Sequence, residues 1–196
     1  MDPMTRKSMG EVLRALANQK FEITDEGGIF IPSMGGSVMG AYHVEHRRKG
    51  DLLSRDVSPN IVTTEGLNHI LSVTVAGGSQ TGTWYVALFE GNVTPGASLT
   101  AATFTATTTE CTAYDESTRV AYVEGAVASG AVDNSASRAV FTMNATKTVY
   151  GGGLLSVSTK SSTSGVLLSA AKFATARAVV DDDELSVRFN LALTSS

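Results

Sequence analysis

The sequence predicts a mainly β protein: an antiparallel β-sandwich of jelly-roll type, with one short helix at its entrance and an N-terminal helix-plus-hairpin arm. Three observations predict it. From Thr83 onward β-prone segments recur at fairly regular intervals, punctuated by Gly, Ser, Asn or Asp. The last of them places Leu185, Val187, Phe189, Leu191 and Leu193 in strict alternation with smaller or polar residues. Helical spacing is confined to two stretches near the start of the chain. At 196 residues the chain is long enough for one good core, or one core plus an arm.

The first helical stretch is "TRKSMGEVLRALANQ", where Met9, Val12, Leu13 and Leu16 recur on one face. Ser8 and Glu11 have the spacing of a capping box. "FEITDEGGIFI" follows as two short strands joined at Asp25 to Gly28. "PSMGGSVMGA", Pro32 to Ala41, is Gly/Ser-rich without periodicity and reads as a linker. A boundary there separates an arm, residues 1–40, from a sandwich domain, residues 41–196.

The domain opens on a second hairpin. "AYHVEHR" sets Tyr42, Val44 and His46 on one face and His43, Glu45 and Arg47 on the other. Lys49-Gly50-Asp51 supplies the turn, "LLSRDV" returns, and Ser58-Pro59-Asn60 breaks the chain. In "NIVTTEGLNHILSVTVAGG" Thr63 or Thr64 is the N-cap, Glu65 suits the helix N-terminus, and Leu67, Ile70 and Leu71 form an apolar face. This helix, over residues 64–73, is expected to plug one open end of the sandwich. "TWYVALFEG" is apolar almost without interruption, as in a strand buried on both sides. Gly151-Gly152-Gly153 inside a strand pattern predicts a bulge or a close backbone approach.

Composition narrows the function classes. With 42% apolar and 17% charged residues the chain is not of disordered type, and its net charge of -4 argues against nucleic acid or an anionic membrane as partner. No signal-peptide pattern or membrane-spanning run is present, so a soluble protein made in a reducing compartment is expected. The lone Cys111 has no adjacent basic residue and reads as a small buried hydrophobe. His43 and His46 face opposite sides of a strand, and His69 has no second ligand one turn away, so no metal or cofactor is expected. "DDDE", Asp181 to Glu184, lacks the central glycine of a calcium loop and reads as a solvated hairpin turn. "HRRKGD", His46 to Asp51, reads as a solvated hairpin tip or a contact for an acidic partner. Gly-x-Ser-x-Gly and the P-loop lysine are missing, and no catalytic constellation emerges.

Four motifs stand in order along the chain: "NIVTTEGLNHIL", "TWYVALFEGNVTP", "ATTTECTAYDESTR" and "MNATKTVYGGGLLSVSTK". Together they resemble a family of small virion structural proteins of tailed bacteriophages, and they cover roughly Asn60 to Leu193. The resemblance implies a non-enzymatic particle component. The place that best fits the residue pattern is a capsid decoration, or cement, protein on the outside of the phage head. Its expected partners are the major capsid protein and further copies of itself, as a dimer or trimer, with synthesis in the host cytoplasm. The expected assembly contacts are Met9, Val12, Leu13 and Leu16 of the arm helix, Phe30 of the hairpin, and Arg47 and Arg48 of the basic run. A neck, collar or tail-associated adaptor is the second expectation. A carbohydrate- or receptor-binding module, resting on Trp84, Tyr85 or Tyr114, is the third.

Overall fold

The computed structural model of the protein describes Glu22–Ile23, Ile29–Phe30 and residues 36–195. Residues 38–193 form one compact unit. Strands β1 (Glu22–Ile23) and β2 (Ile29–Phe30) belong to a second unit and pair antiparallel, Glu22 opposite Phe30. The expected arm helix, with Met9, Val12, Leu13 and Leu16, lies outside the described residues.

The compact unit is mainly β and sandwich-like. Its first sheet runs in the order β10 (Ala139–Thr142), β13 (Asp183–Ser195), β3 (Gly36–Arg48), β4 (Asp51–Pro59), with β9 (Ala131–Asp133) also paired to β13. Its second sheet runs β5 (Ile61–Val62), β12 (Leu167–Val179), β11 (Lys147–Leu155), β6 (Trp84–Phe89), β7 (Glu110–Cys111), with β8 (Val120–Tyr122) also on β6. Side chains from the inner faces of both sheets meet in one core, among them Tyr42, Val44, Phe141, Phe189, Val86 and Leu154. The period-two pattern read in β3 and β13 therefore points where expected, and Tyr42, Val44 and His46 are all buried. The strand β3 starts at Gly36, so part of the segment expected to be a linker is strand. Val38, half-buried against the core, holds it there.

The middle of the second sheet, around β6, is buried on both faces, which is why β6 reads as a continuous apolar run. Val86 and Leu88 enter the inter-sheet core, while Ala87 and Phe89 enter a second cluster behind the sheet. That second cluster is closed by a helix the sequence reading did not find. Ahead of it stands the expected helix, α1 (Thr64–Val75); the additional one is α2 (Ala101–Thr108). Ala101, Phe104 and Thr108 of α2 are buried, and the Phe104 ring meets Phe89 edge-on at 6.2 Å. The expectation of a single helix in the sandwich domain is thus corrected. "AATFTATT" is rich in Thr and has little amphipathic contrast, so tertiary contacts rather than propensity hold it helical.

Helix α1 begins as expected, with the Thr63 hydroxyl accepting the Gly66 N–H at 2.9 Å. Its orientation differs from the expected plug. Ile70 packs against the inter-sheet core, but Leu67, Leu71 and Val75 are exposed. The reason is Gly66, whose backbone lies so close to Leu168 of β12 that a Cβ would collide with the Leu168 carbonyl. Close approach at Gly66 turns the Gly66–Ile70–Val73 face inward and sends the larger leucines to solvent. Gly66→Ala is accordingly expected to cost about 1–3 kcal/mol by overpacking. Chemical denaturation checks this; an unchanged midpoint would contradict the close approach.

The glycine run in β11 does what its pattern predicts. A Cβ at Gly151 would strike both the Phe89 ring and the Ala171 carbonyl. The β11–β12 register shifts beside it, jumping from Val149↔Arg177 to Gly151↔Lys172, so β12 bulges over residues 173–176. The bulged backbone is met by side chains of β4: Ser58 Oγ accepts the Ala174 N–H at 2.8 Å and Asp56 Oδ2 accepts the Thr175 N–H at 3.0 Å. This explains why β4 turns polar residues inward.

Candidate functional site

Several charged residues of the four motifs are bonded inside the fold. Glu110, from "TTTECTAY", and Arg119, from "DESTR", form a bidentate ion pair, Nε to Oε1 at 2.8 Å and Nη2 to Oε2 at 2.7 Å. Both are buried, and the remaining capacity is filled. Arg119 also donates to the carbonyls of Val157 and Ser162, and Glu110 accepts from the Thr105 hydroxyl and the Ser161 N–H. Lys160 donates to the Thr112 and Tyr114 carbonyls and stands 3.7 Å above the Tyr114 ring. Lys147 pairs with Glu90 at 3.0 Å. Glu65 reaches past its own helix: Oε2 accepts the Ala101 N–H at the start of α2 at 2.8 Å and the Leu167 N–H at 2.7 Å. These acids and bases tie loops, helices and sheet together.

A second polar knot joins the β3–β4 hairpin tip to the β12–β13 turn. Asp183 is fully buried and accepts from Arg48 Nε and Nη2 at 2.7 and 2.8 Å, from His46 Nε2 at 2.8 Å, and from the Val180 N–H at 2.9 Å. The Arg48 hydrogen bonds, followed by those from Val180 and His46, hold its carboxyl well below the usual carboxylate range despite burial. The expected solvated turn is therefore corrected at this residue. Asp181, Asp182 and Glu184 are exposed, but Asp183 turns inward because the Arg48 guanidinium and the His46 ring of the hairpin both reach it. Arg48, expected as an assembly contact, is committed to Asp183. Arg47, as exposed as Arg48, is bonded to the Gly50 carbonyl at 3.1 Å and to Glu45 at 3.4 Å. Phe30 lies in β2, in the other unit.

The remaining chemistry-bearing residues are placed as follows. Cys111 is buried, and burial pushes its thiol up to about 12. His43 bonds Asn190 at 3.2 Å on the outer face, opposite His46. Among the described residues no group of three or more His, Cys, Asp or Glu is arranged to hold a metal ion. Tyr114 is buried in the core beneath Lys160, which removes it from any sugar-binding platform.

Among the described residues, two places group exposed apolar side chains, besides Met39, Val123, Val127, Val140 and Leu193, which are exposed elsewhere. On the edge strand β4, Leu52, Leu53 and Val57 are 44%, 50% and 53% exposed, while Ser54, Asp56 and Ser58 point inward. The usual sandwich pattern is thereby reversed on this strand. The β3–β4 register skips Leu53, passing from His46↔Ser54 to Arg47↔Leu52, and this bulge presents two consecutive leucines to solvent. No strand among the described residues pairs with the far side of β4. The second place is the outer stripe of α1. Beside α1 a cleft of about 300 Å³ opens at the mouth of the sandwich, walled by Trp84 and Tyr122 of the second sheet and Phe189 of the first.

Comparison with known protein families and with curated proteins finds no match. The sequence reasoning missed the reversed polarity of β4, although the inward Ser54-x-Asp56-x-Ser58 spacing was available as a signal.

Proposed function

We propose that this chain is a non-enzymatic structural protein of a bacteriophage virion, a capsid decoration protein that bridges major capsid subunits on the outside of the head. The observation that carries the reading is β4, a sheet edge unpaired among the described residues, whose leucines and valine face solvent on a body whose motif residues Glu65, Glu110 and Arg119 are satisfied internally. Exposed apolar edges are a liability unless a partner covers them. An edge strand offers a partner both backbone hydrogen bonds and apolar burial. The four-motif resemblance supports the same reading. On it, the chain forms a small oligomer, the N-terminal arm reaches a neighbouring subunit, and each stable contact buries more than roughly 1,000 Å². The jelly-roll connectivity expected from the sequence belongs to this reading. The chain repeatedly crosses between the sheets, at β4 to β5, β8 to β9, β10 to β11 and β12 to β13.

The test is retention on particles of the phage that encodes the chain. Leu53→Asp combined with Val57→Asp is expected to lower particle affinity about tenfold or more. Both side chains are at the surface, so the melting temperature should hardly change. Undiminished retention of the double variant would remove β4 as the docking edge.

A further inference from the structure

We propose that the cleft at the mouth of the sandwich binds a small organic cation, an ammonium group carried on a short apolar body. Its volume of about 300 Å³ is at the lower end of ligand clefts. Three elements build it. Trp84 of β6 and Tyr122 of β8 are register partners on the second sheet, Phe189 faces them from β13, and Ile70 closes the side from α1. The wall is mostly apolar, which suits a hydrocarbon body and disfavours a sugar.

Two features ask for more than a hydrocarbon. Tyr122 is only 5% exposed, yet its hydroxyl has no hydrogen-bond partner among the described residues. Glu124, two residues further along, also lines the cleft; it is the sole carboxylate there, and no lysine or arginine accompanies it. Among the described residues Glu124 makes no ion pair or hydrogen bond, whereas nearby Asp133 is taken by Arg188 at 2.6 Å. An uncompensated carboxylate beside the rings of Trp84 and Tyr122 is the arrangement that selects a cation with an apolar stem. His69 is engaged with Thr81 at 3.2 Å and stands edge-on to Trp84 at 5.4 Å, which fixes one side of the wall.

Trp84 is the chain's single tryptophan, so its fluorescence reads occupancy of the cleft directly. The probes are 2-phenylethylammonium and its neutral counterpart 2-phenylethanol, titrated at constant ionic strength. The expected result is saturable quenching or a spectral shift, with the ammonium bound about fivefold more tightly than the alcohol. Glu124→Gln, an exposed position whose change leaves melting unaltered, should abolish that preference. No saturable response to either probe, equal binding of both, or a preference that survives Glu124→Gln would overturn the proposal. The cleft and the β4 edge are separate, so this test and the particle-retention test succeed or fail independently.

Discussion

Arg119→Met is expected to cost about 3–5 kcal/mol of unfolding free energy, because it leaves the buried Glu110 carboxylate without its cation. Glu110 and Arg119 close the bidentate pair between β7 and the residue just before β8, and Arg119 also anchors the 157–162 segment through two carbonyls. Removing one partner strands a charge; removing both does not. The double variant Glu110→Leu, Arg119→Met should therefore recover most of the loss, since a well-packed apolar pair can replace a buried ion pair at little cost. Urea midpoints of the two single variants and the double variant measure the coupling. Simple additivity would mean that the pair does not act as a unit.

Asp183→Ala is expected to cost about 3 kcal/mol. Hydrogen bonds to a charged group are worth roughly 1.5–3 kcal/mol each, but only buried His46 is cut off from replacement by water, since Arg48 is partly exposed. The carboxyl of Asp183 is held down in the folded state, principally by Arg48. A depressed folded value means that its stabilisation is fully present above the unfolded aspartate value, near 3.9, and is lost as pH falls through that value toward the folded one. Parent stability should thus decline below about pH 4, and the gap between the parent and Asp183→Asn should narrow over the same range. A gap independent of pH would contradict the assignment. Asp133, lowered to about 2 by its hydrogen bonds to Ser135 and by Arg188, adds a decline of the same sign.

The β body was legible because alternation survives in the chain wherever one face of a strand is buried. Tyr42, Val44 and His46 in β3, and Leu185 to Leu191 in β13, point inward as their spacing requires. The double burial of β6 was legible for the complementary reason, an unbroken apolar run. Helix α2 was not legible. Thr and Ala at its positions suit several backbones, and its N-terminus is satisfied by Glu65 from 36 residues earlier. Asp183 was hidden for a related reason: an acidic run looks solvated until the arginine and histidine that fold onto it are known. The rotation of α1 turned on one glycine, whose missing Cβ decides the facing side but adds nothing to a hydrophobic pattern. The β4 edge was written in the sequence as inward Ser, Asp and Ser, yet its meaning depends on the β12 bulge that Asp56 and Ser58 serve.

The structural role proposed here is tested most directly by counting this chain against the major capsid protein in purified virions, by quantitative mass spectrometry. A decoration protein predicts a ratio near one to one, or a simple fraction of it. A handful of copies per particle would move the chain to the neck, collar or tail. Absence from the virion would contradict the account.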